Sequence, residues 1–311
     1  MDKAEAFYKL FPCDLRELIL AGGYRFEELR EIRFRVGQPI IVKCDGREEI
    51  IRQKNSIRPY VVSLCELSEL INYICDFSIY AYEEELRQGF ITTMGGHRIG
   101  VGGSVTIEGN AVKTFRYITC VNVRIAHEIP GVGDILLPHL QSGGRLYNTL
   151  IISAPGCGKT TLLRDLVRQI SNGGQTVGVV DERSEIGGCY MGIPQNDIGM
   201  RTDIIDCCAK AQGIMMLVRA MAPDVIAVDE IGSGEDAAAI ETALYSGCKL
   251  IATIHGYDIT DVIKKRMLRE LIHGEAVERY VMLEGRASVN RHIRILNSEY
   301  QCIWKYPEVE V

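Results

Sequence analysis

Residues 153–161 read Ser-Ala-Pro-Gly-Cys-Gly-Lys-Thr-Thr, with two glycines, one lysine and two hydroxyls in a single short stretch. That combination suits an anion. Gly156 and Gly158 allow backbone amides to turn inward, and a helix starting near Lys159 adds its unpaired N–H groups and positive dipole end. Lys159 can then reach the β- and γ-phosphates of a nucleoside triphosphate, and the Thr160 hydroxyl can ligate Mg²⁺. Thr161 falls on the α-phosphate side, while Ser153, Ala154, Pro155 and Cys157 complete the loop. The pattern GxxxxGK[ST] has glycine where this chain has Ser153, a departure that a negative φ accommodates.

The acids that such a loop requires come 70 residues beyond Lys159, in PDVIAVDEIG. Asp229 is placed to hold Mg²⁺ through water, and Glu230 to polarise the attacking water. A carboxylate suits that role because phosphoryl transfer needs positioning and charge neutralisation more than covalent chemistry. Two further apolar runs end in polar residues. VVDERSEI gathers Asp181, Glu182 and Glu185, of which Glu182 is the candidate carboxylate beside the metal, with Arg183 among them. ATIHG ends in Thr253 and His255, and His255 is a candidate γ-phosphate sensor or contact to a neighbouring subunit. The other histidines show no partner pattern.

These residues need a scaffold that brings strand ends together. Short apolar strands at 149–153, 176–181, 224–229 and 249–254 alternate with helical patterns near 159–171, 203–221 and 235–246. Continuous apolar strands between helices predict a parallel sheet covered on both faces, with its ligand at the carboxyl ends of the strands. The front half differs. EIRFRV alternates like a half-buried strand, GQP turns the chain into IIVK, and Asp45-Gly46 suits a hairpin turn. Ser63 and Glu66 fit a capping box ahead of a helix with Leu67, Leu70, Ile71 and Ile74 on one face. FITT and HRIGVGG flank Met94-Gly95-Gly96, and RYITCVNVRIA reads as a long strand. The expected organisation is a small α+β domain over 1–130, a linker or hinge over 131–145 containing Gly131 and Gly133, and an α/β ATPase domain over 146–311.

Bulk properties narrow the class. A chain of 311 residues with 47% hydrophobic residues supports about two domains and a buried core. The net charge of -6 and 7% aromatic content give neither a basic footprint nor a stacking platform for nucleic acid. The 11 cysteines lack a CxxC pair, so reduced and mostly buried thiols are expected, with Cys207 and Cys208 inside a helix. The N-terminal residues lack the apolar core of a signal peptide. No run approaches the ~18 apolar residues of a membrane span. A cytoplasmic protein follows, reaching any membrane through a partner.

The order of the four strand ends resembles the secretion ATPase superfamily of type II and type IV systems. Its Walker A loop, Asp box, Walker B strand and His box correspond to 153–161, 181–186, 224–230 and 252–256. The layout is closer still to the stage III sporulation protein AA family, through EIRFRVGQPI, VNVRIA, APGCGKTTLLRDL, VVDERSEI, GMRTDIIDCCAKAQGIMMLVRAMAPDVIAVDEIG and IATIHG. Two features depart from the broader superfamily: Asp229 precedes Glu230 where many members carry Gly, and the zinc-binding cysteine cluster of some type II members is missing. The resemblance implies a RecA-like P-loop ATPase using ATP and Mg²⁺, assembled as a hexameric homo-oligomer. It further implies a role in energising a membrane-embedded channel between mother cell and forespore; on the charge and aromatic content above, no nucleic acid is expected as a partner. Superfamily arginines of the N-terminal domain close over the nucleotide, some from a neighbouring subunit. Arg124 in VNVRIA matches such a position best and Arg98 in HRIG comes next, with Arg201 and Arg219 as interface cations. Two alternatives stay open on the residues themselves: a nucleic-acid-dependent ATPase of the recombinase type, and a nucleotide-binding scaffold without turnover.

Overall fold

In the computed structural model, the described residues are 3–307 except 55, 110, 269–270, 273, 275 and 287–288. They divide into two compact units: Met1–His127 with Gly188–Asn196, and Glu128–Gly187 with Asp197–Val311.

The first unit opens with helices α1 (Lys3–Lys9) and α2 (Cys13–Ala21), then strands β1 (Leu29–Arg35), β2 (Ile41–Cys44) and β3 (Arg47–Ile50). Helices α3 (Leu64–Ile74) and α4 (Glu83–Arg87) precede β4 (Phe90–Thr92), β5 (Arg98–Glu108) and β6 (Ala111–Arg124). The six strands form one sheet in the order β3-β2-β1-β6-β5-β4, and each pairing within it is antiparallel. Alternation along β1 explains the packing. Ile32 and Phe34 enter a core with Val121, Val123 and Ile99, covered by Phe7, Leu15, Ile19, Leu67 and Leu70. Glu31, Arg33 and Arg35 alternate with them and stay partly exposed. The capping box between Ser63 and Glu66 is formed as the sequence predicts, and Asp45-Gly46 closes the β2–β3 hairpin with Gly46 at φ 73°.

His97 illustrates how this core constrains a polar group. It is fully buried, accepts from the Ala126 N–H at Nδ1 (3.2 Å) and so donates from Nε2 to the Lys3 carbonyl (3.1 Å). Burial pushes its pKa down from the usual 6.5 to about 4. The unfolded chain therefore takes up a proton below pH ~6.5 that the folded unit refuses until pH ~4. Stability of the first unit should fall across that interval by up to about 3 kcal/mol, since each tenfold loss of proton affinity is worth about 1.4 kcal/mol. Urea titrations at several pH values, followed by far-UV circular dichroism, would show this drop and its reduction in His97→Gln.

The second unit begins with α5 (Leu137–Leu140) and a short hairpin of β7 (Gln141–Ser142) and β8 (Arg145–Leu146). The region read as a linker is folded rather than open. Leu136, Leu140 and Leu146 are buried, and the Gly133 N–H donates to Asp165 Oδ2 at 2.7 Å. A Cβ at Gly133 would lie 2.8 Å from the Leu166 side chain, so a larger residue here would have to displace Leu166. Next come β9 (Thr149–Ser153), α6 (Lys159–Asn172), β10 (Val177–Asp181), β11 (Thr202–Asp206), α7 (Lys210–Ala220), β12 (Val225–Val228), α8 (Gly234–Tyr245), β13 (Lys249–His255) and α9 (Ile259–Ile263). Strands β14 (Arg279–Arg286), β15 (Val289–Leu296) and β16 (Cys302–Tyr306) finish the unit.

Its eight-stranded sheet runs β11-β10-β12-β13-β9-β14-β15-β16, parallel from β11 to β14 and antiparallel through β15 and β16. Alternation again assigns the two faces. Leu150, Ile152, Val228 and Leu250 pack with Ile214 and Leu217 of α7 and Ile240 of α8. Ile151, Val179, Ala227 and Ile251 pack with Leu162, Leu163, Leu166 and Val167 of α6. The sheet is thus covered on both faces, as predicted. Trp304 on β16 rests 4.9 Å from the His139 ring of α5 and 6.2 Å from Tyr306.

The helix expected over 203–221 is corrected. Thr202–Asp206 is a strand paired in parallel with β10, and α7 begins only at Lys210. Cys207 sits at φ 54°, a left-handed backbone that ends the strand and cannot continue a helix, so Cys207 and Cys208 lie between the two elements. Cysteine burial is also lower than expected: five of the 11 thiols, Cys44, Cys75, Cys157, Cys189 and Cys248, are buried. Among the described residues, no helix is long and apolar enough to cross a membrane.

Candidate nucleotide site

Strand β9 ends at Ser153, whose extended backbone meets the expectation for the departure from the loop pattern. The chain then turns through Gly156 (φ 78°) and Gly158 (φ 86°), the latter capping α6, so both glycines occupy left-handed conformations. Lys159 is buried at 7% exposure. Its ammonium donates to the carbonyls of Ser153 (3.1 Å) and Ala154 (3.2 Å), reaches Ser153 Oγ at 3.3 Å and lies 2.9 Å from His255 Nδ1. An ammonium has only donors, so Nδ1 accepts and the His255 proton resides on Nε2. That nitrogen lies 3.1 Å from Glu230 Oε1. Burial lowers the Lys159 pKa, against the opposing pull of Asp229 and Glu230.

The Asp229 carboxylate is held at both oxygens. Thr160 Oγ1 donates to Oδ2 at 2.8 Å, and Thr253 Oγ1 donates to Oδ1 at 2.5 Å. The fully buried Thr253 hydroxyl also accepts the Glu230 N–H at 2.9 Å. Glu230 has φ 53°, so the chain turns sharply just after β12 and aims its side chain along the strand ends. Its second oxygen, Oε2, accepts from Arg183 Nη1 at 3.0 Å. The strand ends thus bring together Ser153, Lys159, Thr160, Asp229, Glu230, Thr253 and His255.

The acids at the end of β10 behave differently from one another. Asp181 is buried and turned inward, its carboxylate accepting the N–H groups of Glu185, Ile186 and Gly187 at 2.8 Å each. Burial raises its pKa to about 6, against the lowering effect of those three amides. Glu182 is paired with the buried Lys210 at the start of α7. Arg164 of α6 donates to the carbonyls of Ile186 (2.8 Å) and Glu185 (2.5 Å). Sequence reasoning assigned no role to Lys210 or Arg164, and placed Arg183 only as a neighbour in VVDERSEI. Their partners are 21 to 47 positions away, and nothing in local spacing reports them.

Arg124 and Arg98 are carried by the first unit, where they are register partners on β6 and β5. Arg124 is exposed, and Arg98 lies over the Phe90 ring at 3.7 Å. Glu31 is the β1 partner of Arg124. Glu31 also accepts from Arg33, Lys43 and Asn122, which overcome burial and hold its pKa down to about 2. Arg33, Arg35, Arg98 and Arg124 therefore share one face of that sheet, opposite the apolar core. Arg201 precedes β11 and is exposed, and Arg219 lies in the last turn of α7.

The residues present fit Mg²⁺ and a triphosphate. Thr160 and Asp229 offer one hydroxyl and one carboxylate in mutual contact, and Lys159 brings an ammonium to the same loop. Among the described residues no three His, Cys, Asp or Glu side chains gather to cage a metal. Mg²⁺ suits so sparse a protein contribution, since it usually keeps several waters and takes phosphate oxygens as ligands.

The family described as "Sporulation stage III, protein AA" matches residues 1–300. The chain belongs to that family. Stage III sporulation protein AA of Bacillus subtilis is 42% identical over 262 residues, covering 82% of each chain. The ATPase DotB of Legionella pneumophila superposes over 92% of this chain and 82% of its own, with TM-score 0.59 and 17% identity. The pilus retraction motor PilT, solved with ADP bound, covers 91% of this chain and 80% of its own, with TM-score 0.57 and 16% identity. These likenesses show the fold alone: a RecA-like P-loop unit with a preceding N-terminal domain.

Proposed function

We propose that this protein is a Mg²⁺-dependent ATPase of the secretion type, which binds ATP on the loop 153–161 and energises a membrane-embedded channel during endospore formation. The single observation carrying this reading is the hydrogen-bonded chain Thr160–Asp229–Thr253–Glu230, with Lys159 on the same strand ends. When bound, Mg²⁺ would neutralise phosphate charge, with Thr160 as a ligand and Asp229 acting through water. Lys159 would exchange its carbonyl contacts for phosphate oxygens. Glu230, held by its backbone N–H and by His255, would orient the attacking water and take its proton. His255, bonded to both Lys159 and Glu230, would report whether the ammonium has moved to a γ-phosphate.

Cations beyond Lys159 would come from the first unit of a neighbouring chain, with Arg124 the leading candidate and Arg98 beside it. In this reading the chain works as a hexameric homo-oligomer that docks peripherally, from the cytoplasm, on a membrane partner. The test is steady-state phosphate release as a function of protein concentration. Specific activity should rise through the assembly range and be absent in Lys159→Ala. Activity independent of concentration would remove the assembly claim, and activity equal in Lys159→Ala would remove the ATPase claim.

A further inference from the structure

The loop that follows β10 is tied to the phosphate site more firmly than its exposed charges suggest. Arg183 holds one carboxylate oxygen of Glu230 at 3.0 Å, and His255 lies against the other at 3.1 Å. Two residues later the backbone is fixed twice. The buried Asp181 carboxylate accepts the amides of Glu185, Ile186 and Gly187, and Arg164, four residues after Thr160 on α6, donates to the carbonyls of Glu185 and Ile186. Ser184, buried at φ 52°, adds a hydroxyl bond to Asp206 at 3.2 Å.

Directly after Gly187 the chain becomes part of the first unit, and it returns to the second at Asp197. Its nine-residue excursion (188–196) is anchored there as well. The buried Asn196 accepts Lys3 Nζ at 2.7 Å, Gln195 Oε1 accepts the Gly95 N–H at 3.0 Å, and Tyr190 OH donates to Asp76 at 3.3 Å. Gly188 approaches so closely that a Cβ on it would lie 3.3 Å from the Gly96 Cα. On its return, the Asp197 N–H donates to Glu128 at 3.0 Å. The two units are therefore joined by three crossings of the chain, at 127/128, 187/188 and 196/197. The middle crossing begins at a loop bonded to Glu230 and to the phosphate-loop helix.

We propose that Arg183 is a positioning residue for Glu230, and that the segment Glu182–Asp197 is the covalent strap through which the phosphate site and the first unit act on one another. This rests on the ATPase reading above and adds the route of coupling. A γ-phosphate that draws Lys159 from His255 changes the cations around Glu230. Arg183 then follows the carboxylate, and the shift passes along residues stiffened by Asp181 and Arg164 into 188–196. Because Arg183 is 59% exposed at its side chain, its replacement should leave folding intact.

The test uses the full chain as wild type, Arg183→Ala and Arg183→Lys, each checked by thermal melting. Expected results are a kcat roughly tenfold lower or more in Arg183→Ala with nucleotide affinity unchanged within about twofold, and partial recovery in Arg183→Lys. In wild type, a non-hydrolysable ATP analogue should slow amide exchange across 185–196 as well as in the phosphate loop. In Arg183→Ala the slowing should remain in the phosphate loop and vanish from 188–196. Unchanged kcat, or equal slowing at 188–196 in both proteins, overturns the proposal while leaving the ATPase reading standing. A wild type that neither binds nor hydrolyses nucleotide overturns both.

Discussion

Glu230→Gln should bind ATP with near wild-type affinity and release phosphate roughly 10²–10⁴ times more slowly, the range for loss of a positioned general base. The two effects separate because the carboxamide keeps the shape of the side chain and one acceptor for Arg183, but cannot take a proton at neutral pH. The Glu230 backbone N–H still bonds Thr253, so Asp229 and Thr160 keep their places. Lys159→Ala removes the ammonium that shares the loop and should lose binding as well as turnover. Single-turnover phosphate release and equilibrium binding measured on the same preparations would check this. A Glu230→Gln protein that hydrolyses ATP within a fewfold of wild type would transfer the base role elsewhere.

Arg124→Ala should lower turnover by ~10³ or more if this residue serves as the stabilising cation, since an arginine finger contributes ~10³–10⁵ in comparable phosphoryl transfers. The exposed position of Arg124 argues against a structural collapse behind such a loss. Mixing decides whether the residue acts on a neighbour's nucleotide. Arg124→Ala chains keep an intact phosphate loop and Lys159→Ala chains keep an intact arginine. An equimolar mixture should therefore regain activity that neither variant has alone. A mixture as inactive as its parents would place the missing cation within the same chain or on another residue, with Arg98 the first to examine.

What was legible in the sequence is what local chemistry controls. The proposed phosphate loop could be read because glycine, lysine and threonine at fixed spacing sit at one helix end. Strands β9, β10, β12 and β13 could be read because each is a continuous apolar run between helices. The Ser63–Glu66 box was visible for the same reason, since both of its bonds span three residues. Strand β11 was hidden because Ile204 and Ile205 extend the helical pattern of α7 backward, and the break between the two is only three residues, 207–209, turned by the left-handed Cys207. Strands β14 to β16 were not singled out: the apolar run of β14, Tyr280–Leu283, is bounded by Arg279 and Glu284 with no helix following it, and β15 and β16 intersperse charged residues such as Arg294 and Lys305. The site's ion pairs were invisible for a different reason. Arg183 meets Glu230, and Lys210 meets Glu182, only after the parallel strand order has brought distant strand ends side by side.

The single tryptophan of the chain is Trp304, packed on the His139 ring within the second unit. Intrinsic emission excited at the indole band therefore monitors melting of that unit and leaves the first unit dark. A denaturation curve recorded by indole fluorescence should miss the acid-sensitive loss caused by His97, whereas an ellipticity curve should register it. Disagreement between the two optical signals at pH 5, with agreement at pH 8, would itself mark the units as separately melting bodies.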